Sequence, residues 1–178
     1  CDWSSDVCSS DLGVLLLTDT RNGEHVCLMN ASYLTRLRTG ALSGVATKRL
    51  ARKDARVLGV IGTGGMAFEQ VLGVLEVREI EKLIMFNRTR EKADKFKEKL
   101  HRFGVKQDIV VVDHVDEVVL ASDIINCATR SHTPVFDGKL LKKGTHINGV
   151  GSYLPSMREV DEETILKSDK IVVDDMHG

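Results

Sequence analysis

Residues 57–67 read VLGVIGTGGMA. A short apolar run leads into Gly62-Thr63-Gly64-Gly65-Met66-Ala67, a G-x-G-x-x-A pattern, and an apolar-periodic stretch through Val71, Leu72, Leu75 and Val77 follows. Strand, glycine-rich turn and helix in that order form the opening unit of a nucleotide-binding α/β sheet. Gly62 permits the tight turn, Gly64 lets the backbone approach a pyrophosphate, and Ala67 allows close packing of helix on strand. The free N–H groups and the positive end of a helix beginning near Met66 would hold the phosphates, with Thr63 and Gly65 in the same loop. A glycine-rich turn with no ligand is the other reading of these residues.

Downstream, the alternation repeats. LIMFN is a strand, TREKADKFKEKLHRFG a charged amphipathic helix ending at Gly104, IVVVD a strand, HVDEVVLAS a short helix, and DIINCAT a strand. THINGVG and KIVVDD read as two further strands with EETILKS as a helix between them. Strands alternating with helices predict a parallel sheet covered on both faces, because each crossover packs its apolar stripe back onto the sheet. The fold class is α/β, a Rossmann-type doubly wound sheet.

Upstream, GVLLLTD and HVCLMN flank Asn22-Gly23, a strong two-residue turn signal, and predict a hairpin. A helix follows, capped by Asn30 or Ser32, with Leu34, Leu37, Ala41 and Val45 on one stripe. Gly40, Gly44 and Thr47 make a second stripe of small residues, which lets another backbone or a ligand come close. The opening CDWSSDVCSSDL repeats Ser-Ser-Asp followed by an aliphatic residue, fits no helix, strand or signal-peptide pattern, and is expected to be foreign to the fold.

A NAD site usually carries Asp or Glu about 20 residues beyond the glycines, on the ribose 2′-hydroxyl. Here Asn87-Arg88-Thr89 stands at the end of the second strand. An acidic residue would repel a 2′-phosphate, whereas the Arg88 guanidinium pairs with one and the Asn87 and Thr89 side chains hydrogen-bond it, so NADP is expected over NAD. Alternatively, Asn87 is a turn residue and helix cap and Arg88 a solvated charge.

The 178 residues suffice for one ordinary domain. With 25 Lys and Arg against 26 Asp and Glu, no basic stripe stands out for nucleic acid or anionic lipid. The apolar runs are far shorter than the roughly 18 residues of a membrane helix. Cys1, Cys8, Cys27 and Cys127 form no Cys-x-x-Cys pair, and the latter two sit in strand-like segments, the usual place for inert reduced thiols, which suits a cytoplasmic protein. His101, His114, His132 and His146 are scattered without metal-site spacing, so no metal is expected. Asp113, Asp116 and Glu117 read as a helix entry.

Two longer strings, LMNASYLTRLRTGALSGVATKRLARKDARVLGVIGTGGMA and SHTPVFDGKLLKKGTHINGVGSYLPSMREVD, resemble the ornithine cyclodeaminase and mu-crystallin family, and the resemblance runs from Gly13 to the C-terminus. It implies a split substrate and dimerisation domain built from both chain ends around a Rossmann domain. Residues 13–30 would then be a remnant hairpin, 31–53 a connecting helix and 54–178 the NAD(P)-binding domain. It further implies that Arg38 and Thr39 reach the cofactor phosphates, although on residue type alone they are a surface Arg beside a helical Thr. Ala128 and Thr129, after the fourth strand of the alternation, and Val150 and Gly151, after the fifth, would line the nicotinamide side. The resemblance also links Asn-Arg-Thr at 87–89 to NADP.

Two departures stand out. Ornithine cyclodeaminases carry VGGD, with its Asp assigned to proton transfer, and this chain reads Val150-Gly151-Ser152-Tyr153. A phenol with pKa near 10 is a poor substitute at neutral pH. The family's N-terminal segment and C-terminal return are also missing, so the chain as given is expected to be catalytically incompetent. The expected parent is an NAD(P)-dependent homodimer acting on an amino or imino acid at a C–N bond next to a carboxylate, as a ketimine reductase or amino-acid dehydrogenase. Ornithine cyclodeaminase and a non-catalytic NADPH-dependent binding protein are the alternatives.

Overall fold

The computed structural model describes residues 13–174. The opening CDWSSDVCSSDL lies outside the described residues. Val14–Thr18 (β1) and His25–Asn30 (β2) pair antiparallel about the turn at Asn22-Gly23, as expected. Ala31–Leu50 (α1) follows directly, capped by the Asn30 side chain accepting from Tyr33 N–H. Then come Val57–Ile61 (β3), Ala67–Leu75 (α2), Lys82–Phe86 (β4), Arg90–Phe103 (α3), Asp108–Val111 (β5), Val115–Ala121 (α4), Ile124–Cys127 (β6), His146–Gly149 (β7) and Glu162–Lys167 (α5).

The strands β3 to β7 form one parallel sheet in the order β5-β4-β3-β6-β7, a Rossmann-type arrangement. Its apolar runs bury both faces, because successive residues point to opposite sides. Leu58, Val60, Leu83, Met85 and Ile124 join Val71 and Val74 of α2 and Phe96 and Leu100 of α3 in one core. Ile61, Ile84, Ile125 and Cys127 join Val118 and Val119 of α4 in the other. Gly59 faces that second layer, where an added Cβ would meet Val118 Cγ1 at 2.7 Å.

In α1 the stripe of small residues is the buried one. Thr39, Gly40, Ser43, Gly44 and Thr47 are buried, while Leu37 and Val45 on the apolar stripe are exposed. The reason is distance of approach: Gly40 lies against the Glu69 carbonyl and Gly44 against Gly73, so α1 and α2 cross backbone to backbone. The C-terminal carbonyls of α1 are collected by one guanidinium. Arg78 donates to Thr47 O and Ala51 O, each at 2.8 Å, and to Lys48 O and Arg52 O at 3.2 Å.

Two expectations fail. The expected strand KIVVDD, described as far as Asp174, joins no strand of the described sheet, and Ile171, Val172 and Val173 are exposed. An apolar run reports fitness for burial, whereas a strand also needs a neighbour, and β7 has none on its outer side among the described residues. Cys27 is exposed rather than buried, because the β1–β2 hairpin is largely open to solvent.

Candidate functional site

β3 delivers a buried Ile61 into Gly62, whose φ of 87° is a conformation that side chains with a Cβ rarely adopt. Gly62 N–H donates to Phe86 O at 2.9 Å, and an added Cβ would meet Thr129 Cγ2 at 2.7 Å and Ala128 O at 2.9 Å. The turn is therefore wedged between the ends of β4 and β6. Beyond it the chain opens: a Cβ at Gly65 would meet nothing within 4 Å, and at Gly64 only Ala128 O at 3.9 Å. Ala67 N–H returns to Gly64 O at 3.1 Å, and α2 begins at Met66 with no side-chain cap. Ala67 is 1% exposed, the close helix-to-strand packing that a small residue allows. Thr63 Oγ1 is buried without a partner among the described residues. An open, uncapped helix start beside glycines, with an orphaned hydroxyl, suits the oxygens of a phosphate group.

At the end of β4, Asn87 braces the turn. Its Oδ1 accepts from Thr63 N–H at 3.2 Å and its Nδ2 donates to Thr89 O at 2.9 Å. Arg88 is exposed and makes no ion pair among the described residues, and Thr89 is the residue from which α3 starts. Of the three, Asn87 is thus engaged within the loop and Arg88 is available to an incoming anion.

Arg38 and Thr39 sit beside the opened end of α2, since the adjacent Gly40 touches the Glu69 carbonyl in its first turn. Arg38 is exposed. Thr39 is 7% exposed, and its hydroxyl donates to Thr35 O at 2.8 Å within its own helix. Nearby, Arg36 reaches Glu69 at 3.4 Å and ties α1 to α2.

Ala128, Thr129, Val150 and Gly151 come together where β6 and β7 end. Ala128 N–H donates to Ile61 O at 2.9 Å and Val150 N–H to Cys127 O at 3.2 Å, extending the ladder across three strands. Gly151 is buried against the Thr129 backbone so closely that a Cβ there would overlap Thr129 O.

Holding both ends is a residue that pattern reading missed. Glu159 is 3% exposed, and its Oε1 accepts from Thr129 N–H at 2.6 Å and from the Thr129 hydroxyl at 2.7 Å. Its Oε2 accepts from Gly151 N–H at 2.7 Å. The backbone around it is locked too, with Arg158 N–H on Ser131 O at 2.8 Å and Val135 N–H on Glu159 O at 2.9 Å. In sequence, Glu159 sits among Met157, Arg158 and Val160 with no spacing that marks it; only the return of the chain past β6 brings it to Thr129.

Behind this end, Asn148 Nδ2 donates to Asn126 Oδ1 at 2.8 Å and Thr47 Oγ1 at 3.0 Å, and Asn126 Nδ2 to Gln70 O at 3.3 Å. His146 Nε2 lies 3.0 Å from Asn148 Oδ1. Burial lowers the His146 pKa and nearby Arg78 lowers it further, against the Asn148 hydrogen bond. Cys127, fully buried, has its thiol pushed well up by burial and then by the charge of Glu159.

A separate apolar groove between α1 and α2, lined by Leu37, Gly44, Phe68, Leu72 and Phe103, does not include the glycine turn. Among the described residues, no group of His, Cys, Asp and Glu could hold a metal ion, and no helix is long and apolar enough to cross a membrane.

The chain is similar to proteins of known activity. The chain is 45% identical over 163 residues to Delta(1)-pyrroline-2-carboxylate reductase of Bacillus thuringiensis subsp. konkukian, covering 91% of this chain and 49% of that protein. It is 34% identical over 171 residues to the rat ketimine reductase mu-crystallin, covering 96% and 53%. Among solved structures, Thermococcus litoralis Delta(1)-pyrroline-2-carboxylate reductase in complex with NADH and L-proline superposes with a TM-score of 0.84 at 41% identity, covering 88% of this chain and 48% of that one. The chain spans about half the length of the relatives it matches. Residues 4–177 match the ornithine cyclodeaminase/mu-crystallin family, and the chain belongs to that family.

Proposed function

We propose that this chain is the dinucleotide-binding part of an NAD(P)-dependent ketimine reductase, whose substrate is a cyclic imine bearing a carboxylate. The observation that carries this reading is the junction at Gly62, where an open glycine turn and uncapped helix start lie directly against Ala128 and Thr129 at the end of β6. A dinucleotide spanning that distance would place its phosphates on the turn and its nicotinamide at the joined ends of β6 and β7, outside the carboxyl ends of parallel strands. When bound, it supplies the hydride for the C=N carbon.

The residues of the chain divide the remaining work. Gly62, Gly64, Gly65 and Met66 shape the phosphate cradle, and Arg38 and Thr39 approach it from α1. Arg88 takes the 2′-phosphate, so NADP is preferred over NAD; its exposure and lack of an ion pair among the described residues support this. Ala128, Thr129, Val150 and Gly151 form the wall behind the nicotinamide. Tyr153, 64% exposed, stands where the cyclodeaminase pattern has its Asp, which favours reduction over ammonia loss. The exposed apolar side chains of the β1–β2 hairpin fit a parent that continues this sheet and pairs as a homodimer.

Fluorescence titration with NADPH and NADH tests the reading. The chain should bind both, NADPH more tightly, and Arg88→Ala should weaken NADPH by about tenfold while leaving NADH within about twofold, the size expected for one exposed charge-assisted contact. Absence of binding to either would refute the dinucleotide site; equal loss of both in R88A would refute the preference.

A further inference from the structure

Glu159 is a buried carboxylate with no ion pair among the described residues. All of its donors, Thr129 N–H, Thr129 O–H and Gly151 N–H, are neutral. Within the described residues no salt bridge is formed to it, whereas the partly buried Asp123, at the opposite end of β6, pairs with Arg52 and Lys142. Backbone N–H groups make such a burial tolerable, but they leave a full negative charge behind the walls of the pocket. Its field acts at this end of the sheet: Cys127, one residue before Ala128, has its ionisation opposed by burial first and by Glu159 second.

A negative charge held in a place shielded from water favours any cation brought to the same place and is neutral toward an uncharged ring. Nicotinamide is positively charged when oxidised and uncharged when reduced. We propose that Glu159 is the counter-charge of the nicotinamide pocket, a positioning residue whose carboxylate, fixed behind Thr129 and Gly151, tilts binding toward the oxidised dinucleotide. This rests on the dinucleotide reading above. Glu159 then has two effects: by its hydrogen bonds it sets the shape of the wall, and by its charge it favours the state reached after the hydride has left for the imine carbon. Neither requires it to touch substrate.

The two effects separate experimentally. Glu159→Gln keeps an acceptor for Thr129 but turns an amide N–H toward Gly151 N–H, so both dinucleotide forms should bind more weakly; the readout is the ratio of their Kd values. That ratio should move about fivefold against the oxidised form, as expected for loss of one charge screened at an intermediate distance. Glu159→Asp, which keeps the charge and shortens the reach, should weaken both forms and leave the ratio within about twofold of the parent chain. A measurement without mutation is also decisive: the benzamide analogue of the oxidised dinucleotide keeps the flat ring and carboxamide without the positive charge, and should bind the unmutated chain about fivefold more weakly than the oxidised dinucleotide.

Equal weakening of both forms in E159Q, or an analogue that binds as tightly as the oxidised dinucleotide, overturns the proposal while leaving the dinucleotide site intact. An unmutated chain that binds neither form overturns the dinucleotide reading itself, and the counter-charge with it. Should E159Q fail to fold, the analogue comparison decides alone.

Discussion

Gly73 of α2 faces Gly40 of α1 with nothing between the two backbones, and a methyl group on Gly73 would overlap the Gly40 carbonyl oxygen. Neither partner is the end of a flexible side chain, so the clash relaxes only by moving one helix off the other. Gly73→Ala should therefore destabilise the chain by about 3 kcal/mol, at the upper end of overpacking penalties. In a domain of this size that lowers Tm by about 6–12 °C, which thermal unfolding followed by circular dichroism would show. Gly65→Ala, with open space around it, is the control and should leave Tm unchanged.

Asp123 ties the start of β3 to the start of β6. Its Oδ2 accepts from Arg56 N–H at 2.9 Å and Val57 N–H at 3.0 Å, and its Oδ1 from Arg52 at 2.7 Å. Burial alone would raise this carboxyl, but the two backbone donors with Lys142 and Arg52 outweigh it and leave the pKa below the ordinary value. A depressed folded pKa means stability that is present above the unfolded value and lost as pH falls through the folded one. Asp123→Asn should cost about 2 kcal/mol at pH 7, and the gap between variant and parent should narrow in denaturation curves taken near pH 3.

His146 behaves in a different window. Its folded pKa lies below the ordinary 6.5, so the unfolded chain takes up a proton first as pH falls, and stability declines from about pH 6.5 downward until the folded ring also titrates. His146→Gln offers an amide N–H toward Asn148 without a titrating group. Between pH 7 and pH 5 the parent should lose more stability than H146Q in parallel urea titrations; identical slopes would remove His146 from the account.

The two described cysteines should label differently. Cys27 is exposed on the hairpin, and Cys127 is buried with its thiol pushed up, so little reactive thiolate forms. Peptide mapping after brief iodoacetamide treatment should find Cys27 alkylated and Cys127 intact, and denaturant should make both reactive. Rapid native labelling of Cys127 would mean that the end of β6 opens readily.

Much of this fold is written in short-range pattern. Residues 57–67 announce strand, turn and helix because Gly62 and Ala67 each meet a local requirement, and the later strands each carry an apolar run bounded by a helix. The small stripe at Gly40 and Gly44 was readable as a place of close approach, but which backbone approaches, α2, depends on contacts more than 20 residues away. KIVVDD shows the limit from the other side, since its side chains suit a strand and no described strand pairs with it. In the candidate site, the glycines and the Asn87–Thr89 segment stood out by type and position. Glu159 did not, because its role is created by three donors on loops that sequence distance separates and the sheet brings together. Cys27 lies in a strand as its neighbours suggest, but alternation and apolar neighbours describe a strand without revealing whether anything covers it.

The grip of Arg78 on four carbonyls at the end of α1 gives that helix the mechanics of a lever. One end is clamped by the guanidinium, the glycine crossing with α2 is the fulcrum, and the hairpin rides on the free arm. From Gly44 to the hairpin the arm is about 20 Å long at 1.5 Å per residue, so a tilt of about 10° at the fulcrum sweeps the hairpin through about 3.5 Å. The fulcrum lies on the same helix whose first turn opens the glycine loop. A shift of α2 against α1 would thus be amplified at the hairpin, because the two helices meet at two glycines and the apolar side chains of α1 at Leu37 and Val45 are left in solvent.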